Sequence, residues 1–129
     1  MKAEGRLRLA PLWWSVGVVL VLGVIFGSLA PTTAGPAIAG DKLAHFAGYG
    51  VLSFWFAGIL ERRRYPVLAA LMLALGVLIE IAQYAMGLGR AGDWRDVVAN
   101  SLGIAAALAL AYAGLGAWLL RVERRLGLS

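Results

Sequence analysis

The chain has 129 residues, 61% of them hydrophobic, with a net charge of +5 and no cysteine. Soluble domains average roughly 45–50% apolar residues, and one this small has too little interior to hide the excess. Disulfides, thiolate metal sites, lipoprotein acylation and cysteine nucleophiles are excluded by the missing thiol. The length fits a single domain over residues 1–129.

The apolar residues come in long runs, which makes lipid the expected solvent. A membrane span needs about 20 mostly apolar residues, and four segments qualify. The first, residues 12–30, stops at Pro31-Thr32-Thr33. Lys2, Arg6 and Arg8 before it and Ala37-Ile38-Ala39 after it have the look of a signal peptide. The run exceeds the usual signal core of about 7–15 residues, so an uncleaved span is expected. The second, residues 42–60, ends before Glu61-Arg62-Arg63-Arg64. Pro66 opens the third, residues 66–86, at a position where a missing N–H costs least, and Gly87 and Gly89 close it. The fourth covers residues 94–120. Gly103, Ala107, Ala111 and Gly114 form a small-residue seam along it, and Ala44, Ala47 and Gly48 stand near the start of the second span.

Basic residues cluster before the first span, between the second and third, and at Arg121, Arg124 and Arg125 after the fourth. Positive residues favour the cytoplasmic side, so both termini and the Glu61–Tyr65 loop are expected there. The expected architecture is all-α: a compact four-transmembrane-helix bundle with short loops and cytoplasmic N and C termini. The basic charge is then a topology signal, and nucleic acid is not an expected partner.

Most remaining polar residues fall at the opposite, outer level. Asp41, Lys42 and His45 open the second span, Glu80 and Gln83 lie in the outer half of the third, and Arg90, Asp93, Arg95 and Asp96 fill the outer connection. Asn100 follows one turn into the fourth span. Residues four apart share a helix face, which aligns Asp41, His45 and Tyr49, and likewise Asp96 and Asn100. Glu80 lies six residues before the end of its span, about 9 Å deep at 1.5 Å per residue. A carboxylate there costs several kcal/mol unless paired, protonated or watered, and by default marks a functional or ion-paired position.

Each residue has a plainer reading. Asp41 and Asp93 suit helix N-caps, Arg90 suits an ion pair with Glu80, and Lys42 can snorkel to headgroups. Tyr49, Tyr84, Trp13, Trp14, Trp94 and Trp118 suit interfacial or packing roles. His45, Asp41 and Glu80 are zinc ligands in type, but one histidine is a weak metal signal. No metal and no cofactor is expected.

Asp41-Lys42-Leu43-Ala44-His45-Phe46-Ala47-Gly48-Tyr49 resembles the D-K-x-x-H-F-x-x-Y signature of VanZ-like membrane proteins. Glu80-Ile81-Ala82-Gln83 is similar to that family's E-x-x-Q, and Arg90 with Asp93 to Gly103 is similar to its R…D-x-x-x-N-x-x-G block. The resemblance covers residues 41–114. It implies a bacterial cytoplasmic (inner) membrane protein of the cell envelope. Through the family's namesake, it also implies a link to tolerance of teicoplanin, a lipoglycopeptide acting on wall precursors outside that membrane.

The leading expectation is an outward-facing site for the headgroup of an envelope or cell-wall lipid, with Asp41, Lys42, Tyr49, Gln83, Arg90, Asp93 and Asn100 as ligand-binding residues. Guanidinium and ammonium groups suit phosphate or carboxylate oxygens. An enzyme with His45, Glu80 and Asp96 as acid–base residues is the alternative, although no G-x-S-x-G nucleophile motif is present. A purely structural polar network, or docking of a partner protein, is the third reading. Transport is weaker, because the inner halves of the spans hold few polar residues. Homo-oligomerisation stays open.

Overall fold

The computed structural model describes residues 6–29, 38–87 and 94–128, the side chains of residues 38–41 excepted. Five α-helices account for most of them: α1 (Ala10–Leu29), α2 (Ile38–Ile59), α3 (Tyr65–Met86), α4 (Trp94–Leu110) and α5 (Trp118–Arg125). A 3₁₀ turn over Arg62–Arg64 enters α3, and a π-helical turn over Ala111–Leu115 extends α4. No strand occurs among the described residues.

Three helical stretches, Ala10–Leu29, Arg62–Met86 and Trp94–Leu115, are long and apolar enough to cross a membrane. Their apolar residues point outward: Val19, Phe26, Leu71, Leu78, Ile81 and Leu102 are all exposed. That distribution suits lipid. The helix α2 matches them in length, 22 residues, or about 33 Å at 1.5 Å per residue. Its polar residues dilute its hydropathy, and it packs most extensively against α4, with α1 and α3 also against it.

Small residues set that packing. A Cβ on Gly103 would stand 2.2 Å from the Phe46 carbonyl oxygen, and one on Gly50 3.5 Å from the Gly103 oxygen. The α2 and α4 backbones therefore touch without a side chain between them. Gly103, Ala107 and Ala111 of the expected seam are buried, while Gly114 is exposed, as are Ala44 and Ala47 on α2. Tyr49, Leu52, Phe56, Leu68, Met72 and Ile104 fill the space beside the seam.

The apolar helical stretch that begins at Trp94 ends at Leu115, short of the expected residue 120. Gly116 N–H donates to the Ala111 carbonyl at 3.1 Å, closing the π turn. Gly114 (φ 125°) and Ala117 (φ 53°) then break the helix. The break is fastened to α2: Ala117 N–H donates to the Ala57 carbonyl at 3.2 Å and the Trp118 indole to Phe54 O at 2.9 Å, while the Tyr65 hydroxyl of α3 donates to the same Ala57 oxygen at 3.1 Å. Beyond it α5 is a separate amphipathic helix, not a continuation of α4.

Glu123 of α5 clamps the start of α1. Its side chain is fully buried and accepts hydrogen bonds from Arg8 N–H (2.7 Å), Leu9 N–H (2.8 Å) and the Trp13 indole (2.8 Å). Helix N-termini leave N–H groups unsatisfied and favour an anion there, and α1 obtains both from α5. Burial works to raise the Glu123 pKa, but the three donors outweigh it and hold it below the ordinary carboxylate value.

Two stability predictions follow from these contacts. Gly103→Ala should destabilise the detergent-solubilised protein by about 2 kcal/mol through overpacking, whereas Gly27→Ala, with nothing within 4 Å of its Cβ, should be neutral. Equal thermal shifts would contradict the backbone contact. A carboxylate with a depressed folded pKa contributes stability above its unfolded value and loses it as pH falls through the folded one. Thermal unfolding should therefore show Glu123→Gln less stable than wild type at pH 7, with the gap closing below about pH 4. A gap that stays constant into acid would contradict the clamp.

Candidate functional site

The helices alternate in direction along the chain, so the ends of α1 and α3 and the starts of α2 and α4 share one end of the bundle. At that end lie His45 on α2, Glu80 on α3, and Asp96 and Asn100 on α4. Each exposes 9% or less of its surface. One ligand-type atom from each of His45, Glu80 and Asp96 lies within 4.8 Å of the other two.

His45 is held from both sides. Its Nδ1–H donates to Asn100 Oδ1 at 2.9 Å, and its Nε2 faces Asp96 Oδ2 at 3.4 Å. An amide oxygen can only accept, so this contact places a proton on Nδ1 and leaves Nε2 directed at Asp96. Asp96 Oδ1 pairs with the Lys42 ammonium, whose side chain is 25% exposed. Asp96 and Asn100 thus use the same α4 face for two parts of one network, as their spacing of four predicts.

Glycine makes the room. A Cβ on Gly76 of α3 would sit 2.7 Å from Asn100 Nδ2 and 3.6 Å from the Tyr49 ring. Tyr49, one turn after His45, is buried, and its hydroxyl has no hydrogen-bond partner among the described residues. A cleft of about 230 Å³ runs between α1 and α2, lined by Gly23, Val24, Gly27, Ser28, Ala44, His45, Gly48 and Tyr49.

Of the ten residues expected at the site, six converge here: Lys42, His45, Tyr49, Glu80, Asp96 and Asn100. Gln83 is buried but turns to α1, donating from Nε2 to the Ser28 carbonyl at 2.7 Å. There it satisfies an acceptor at the end of that helix. Arg90, Asp93 and the Asp41 side chain lie outside the described residues. Gly76 also belongs to the site, although the polar motifs do not include it. Its place four residues before Glu80, on the same helix face, was the available signal.

The opposite end is basic and aromatic. Arg62, Arg121 and Arg124 line a cavity of about 450 Å³ with Tyr65 and the Gly114–Ala117 break. Arg62 lies 4.8 Å over the Tyr112 ring, and Arg121 donates to the Gly116 and Leu115 carbonyls at 2.9 and 3.0 Å. Trp13, Trp55 and Trp118 meet edge to face, with centroids 6.2 and 5.3 Å apart. The polar cluster and the cluster of Arg62, Arg121 and Arg124 therefore occupy opposite ends of an apolar bundle.

No curated protein and no solved structure matches the chain. A family profile described as VanZ/LLP1 matches residues 5–119. The match takes in α1, which the motif block over residues 41–114 left out. Covering nearly the whole chain, it shows that this membrane protein belongs to the VanZ/LLP1 family.

Proposed function

We propose that the protein crosses the bacterial cytoplasmic membrane four times, with α2 as the fourth span and both termini cytoplasmic, and that its polar cluster holds the headgroup of an envelope lipid at the outer face. The observation that carries this reading is the α1–α2 cleft, which leads from small and apolar residues to His45 and Tyr49. An amphiphile needs that combination: apolar walls for a chain and polar groups at one end for a headgroup. The arginine-rich end of the bundle supports a cytoplasmic assignment for that side.

In this reading Lys42 attracts anionic oxygens, the Tyr49 hydroxyl donates a hydrogen bond, and His45, Glu80 and Asp96 accept or exchange protons. Arg90 adds a guanidinium suited to phosphate. A lipid-linked wall precursor as the ligand would connect the site to teicoplanin tolerance.

A second reading, acid–base catalysis, draws on the way Asn100 and Asp96 orient both nitrogens of His45, with Glu80 within 4.8 Å. Positioning of that kind is what general acid–base chemistry uses. The substitution His45→Gln separates the two: an enzyme loses turnover and keeps its ligand, whereas a binding site loses affinity.

Mass spectrometry of lipids copurified with wild type, Lys42→Ala and Arg90→Ala tests the binding reading. Wild type should be enriched in one anionic lipid class, and each variant should lose roughly tenfold of that preference, about 1.4 kcal/mol. Gly76→Ala, which removes no polar group, should weaken it too by displacing the Asn100 amide. Equal, nonspecific lipid content in well-folded samples would refute headgroup binding. Variants that lose the fold instead would point to a structural network.

A further inference from the structure

We propose that His45 Nε2, Asp96 Oδ2 and a Glu80 carboxylate oxygen form a site for one divalent transition-metal cation, with zinc the best fit. The proposal does not depend on the headgroup reading. His45, Glu80 and Asp96 stand on three helices, and one ligand-type atom from each lies within 4.8 Å of one from each of the others. The 3.4 Å between His45 Nε2 and Asp96 Oδ2 is long beside the ordinary N–H···O distance of about 2.9–3.0 Å. It matches the separation of roughly 3.4 Å between two ligand atoms on a tetrahedral ion with bonds of about 2.0–2.1 Å.

The surroundings are those of a metal-binding imidazole. Ligating histidines almost always give their other N–H to an oxygen acceptor, which fixes the tautomer. Asn100 Oδ1 is that acceptor at 2.9 Å, on a side chain only 1% exposed. Two carboxylates and a neutral imidazole balance a divalent charge where the dielectric is low. Lys42 engages the other Asp96 oxygen and is partly exposed, which screens its charge and keeps Asp96 monodentate toward the cluster. The imidazole disfavours magnesium and calcium, and three protein ligands are the number at which zinc sites keep a fourth position open. The sequence suggested Asp41 as the carboxylate beside His45 and Glu80; among the described side chains, Asp96 stands there.

The full chain, purified in detergent with a histidine-free tag and stripped by a chelator, would be titrated with Zn²⁺, Mg²⁺ and Ca²⁺ by calorimetry. Bound metal would be counted independently, and helical content and monodispersity checked for each sample. Wild type should take up one zinc per chain and ignore magnesium and calcium at equal concentration. His45→Ala and Asp96→Asn should each weaken zinc by well over tenfold, and Asn100→Ala by about 10–100-fold with the stoichiometry kept. Cobalt loaded in place of zinc should show the visible absorption of a tetrahedral site in wild type and lose it in His45→Ala. A folded, stripped wild type that binds no zinc overturns the proposal, whatever the variants do. So does zinc binding that is unchanged in His45→Ala, or magnesium bound as tightly as zinc. Copurified lipid that vanishes in Lys42→Ala while zinc still binds would leave this site standing.

Discussion

Where α2 crosses α4, no side chain separates the two backbones. The Phe46 carbonyl lies over Gly103 where any Cβ would stand 2.2 Å away. This contact sits one residue beyond His45 on α2 and three beyond Asn100 on α4, so the approach that lets the helices touch also brings imidazole and amide to 2.9 Å. The position of Asp96 one further turn along α4 follows from the same crossing. A bulkier residue at 103 would push the helices apart and open every polar contact between them at once. Van der Waals fit at small residues, the main cohesive force between helices in lipid, is thus also what builds the site.

The apolar bundle raises the stakes of those contacts. A buried ionisable group surrounded by hydrocarbon is costly unless its neighbours satisfy it, and the same low dielectric strengthens each contact that does. The protein concentrates this chemistry at one end, where Lys42, His45, Glu80, Asp96 and Asn100 come from three helices. The other end is fastened differently, by arginines, indoles and a carboxylate. Glu123 ties α1 to α5, and Trp118 and Ala117 tie α5 to the carbonyls at the end of α2. Helix α1, with only Gly17 buried along its length, depends on this clamp and on Gln83 at its other end. The lightly packed α1 is also the helix that walls the cleft beside His45.

Spacing made much of this legible. Asp96, Asn100 and Gly103 read as one α4 face, and they are one buried face. Three of the four expected stretches are helices long and apolar enough to cross a membrane: Ala10–Leu29, Arg62–Met86 and Trp94–Leu115. The end of the fourth was hidden, because Gly114-Leu115-Gly116-Ala117-Trp118-Leu119 continues an apolar run while its backbone turns through two positive φ values, at Gly114 and Ala117. Hydropathy carries no record of a break that hydrogen bonds to α2 compensate. Glu123 was hidden for a related reason. Among Arg121, Arg124 and Arg125 it reads as part of a solvated tail, and its donors lie over a hundred residues earlier in the chain. Gln83 shares a helix face with Glu80, yet its partner is a backbone carbonyl of α1, which has no sequence signature.

In the proposed orientation the polar cluster is reachable from the outer side, and Arg62, Arg121 and Arg124 lie inside. The chain contains no cysteine, so single thiols can be introduced without background. In right-side-out vesicles, a small membrane-impermeant thiol reagent should label Ala44→Cys, at the cleft, without permeabilisation. It should label Arg63→Cys, at the basic end, only after permeabilisation. Reaction of Arg63→Cys from outside would invert the orientation, and an Ala44→Cys that stays unlabelled in intact vesicles would contradict an outward-facing site.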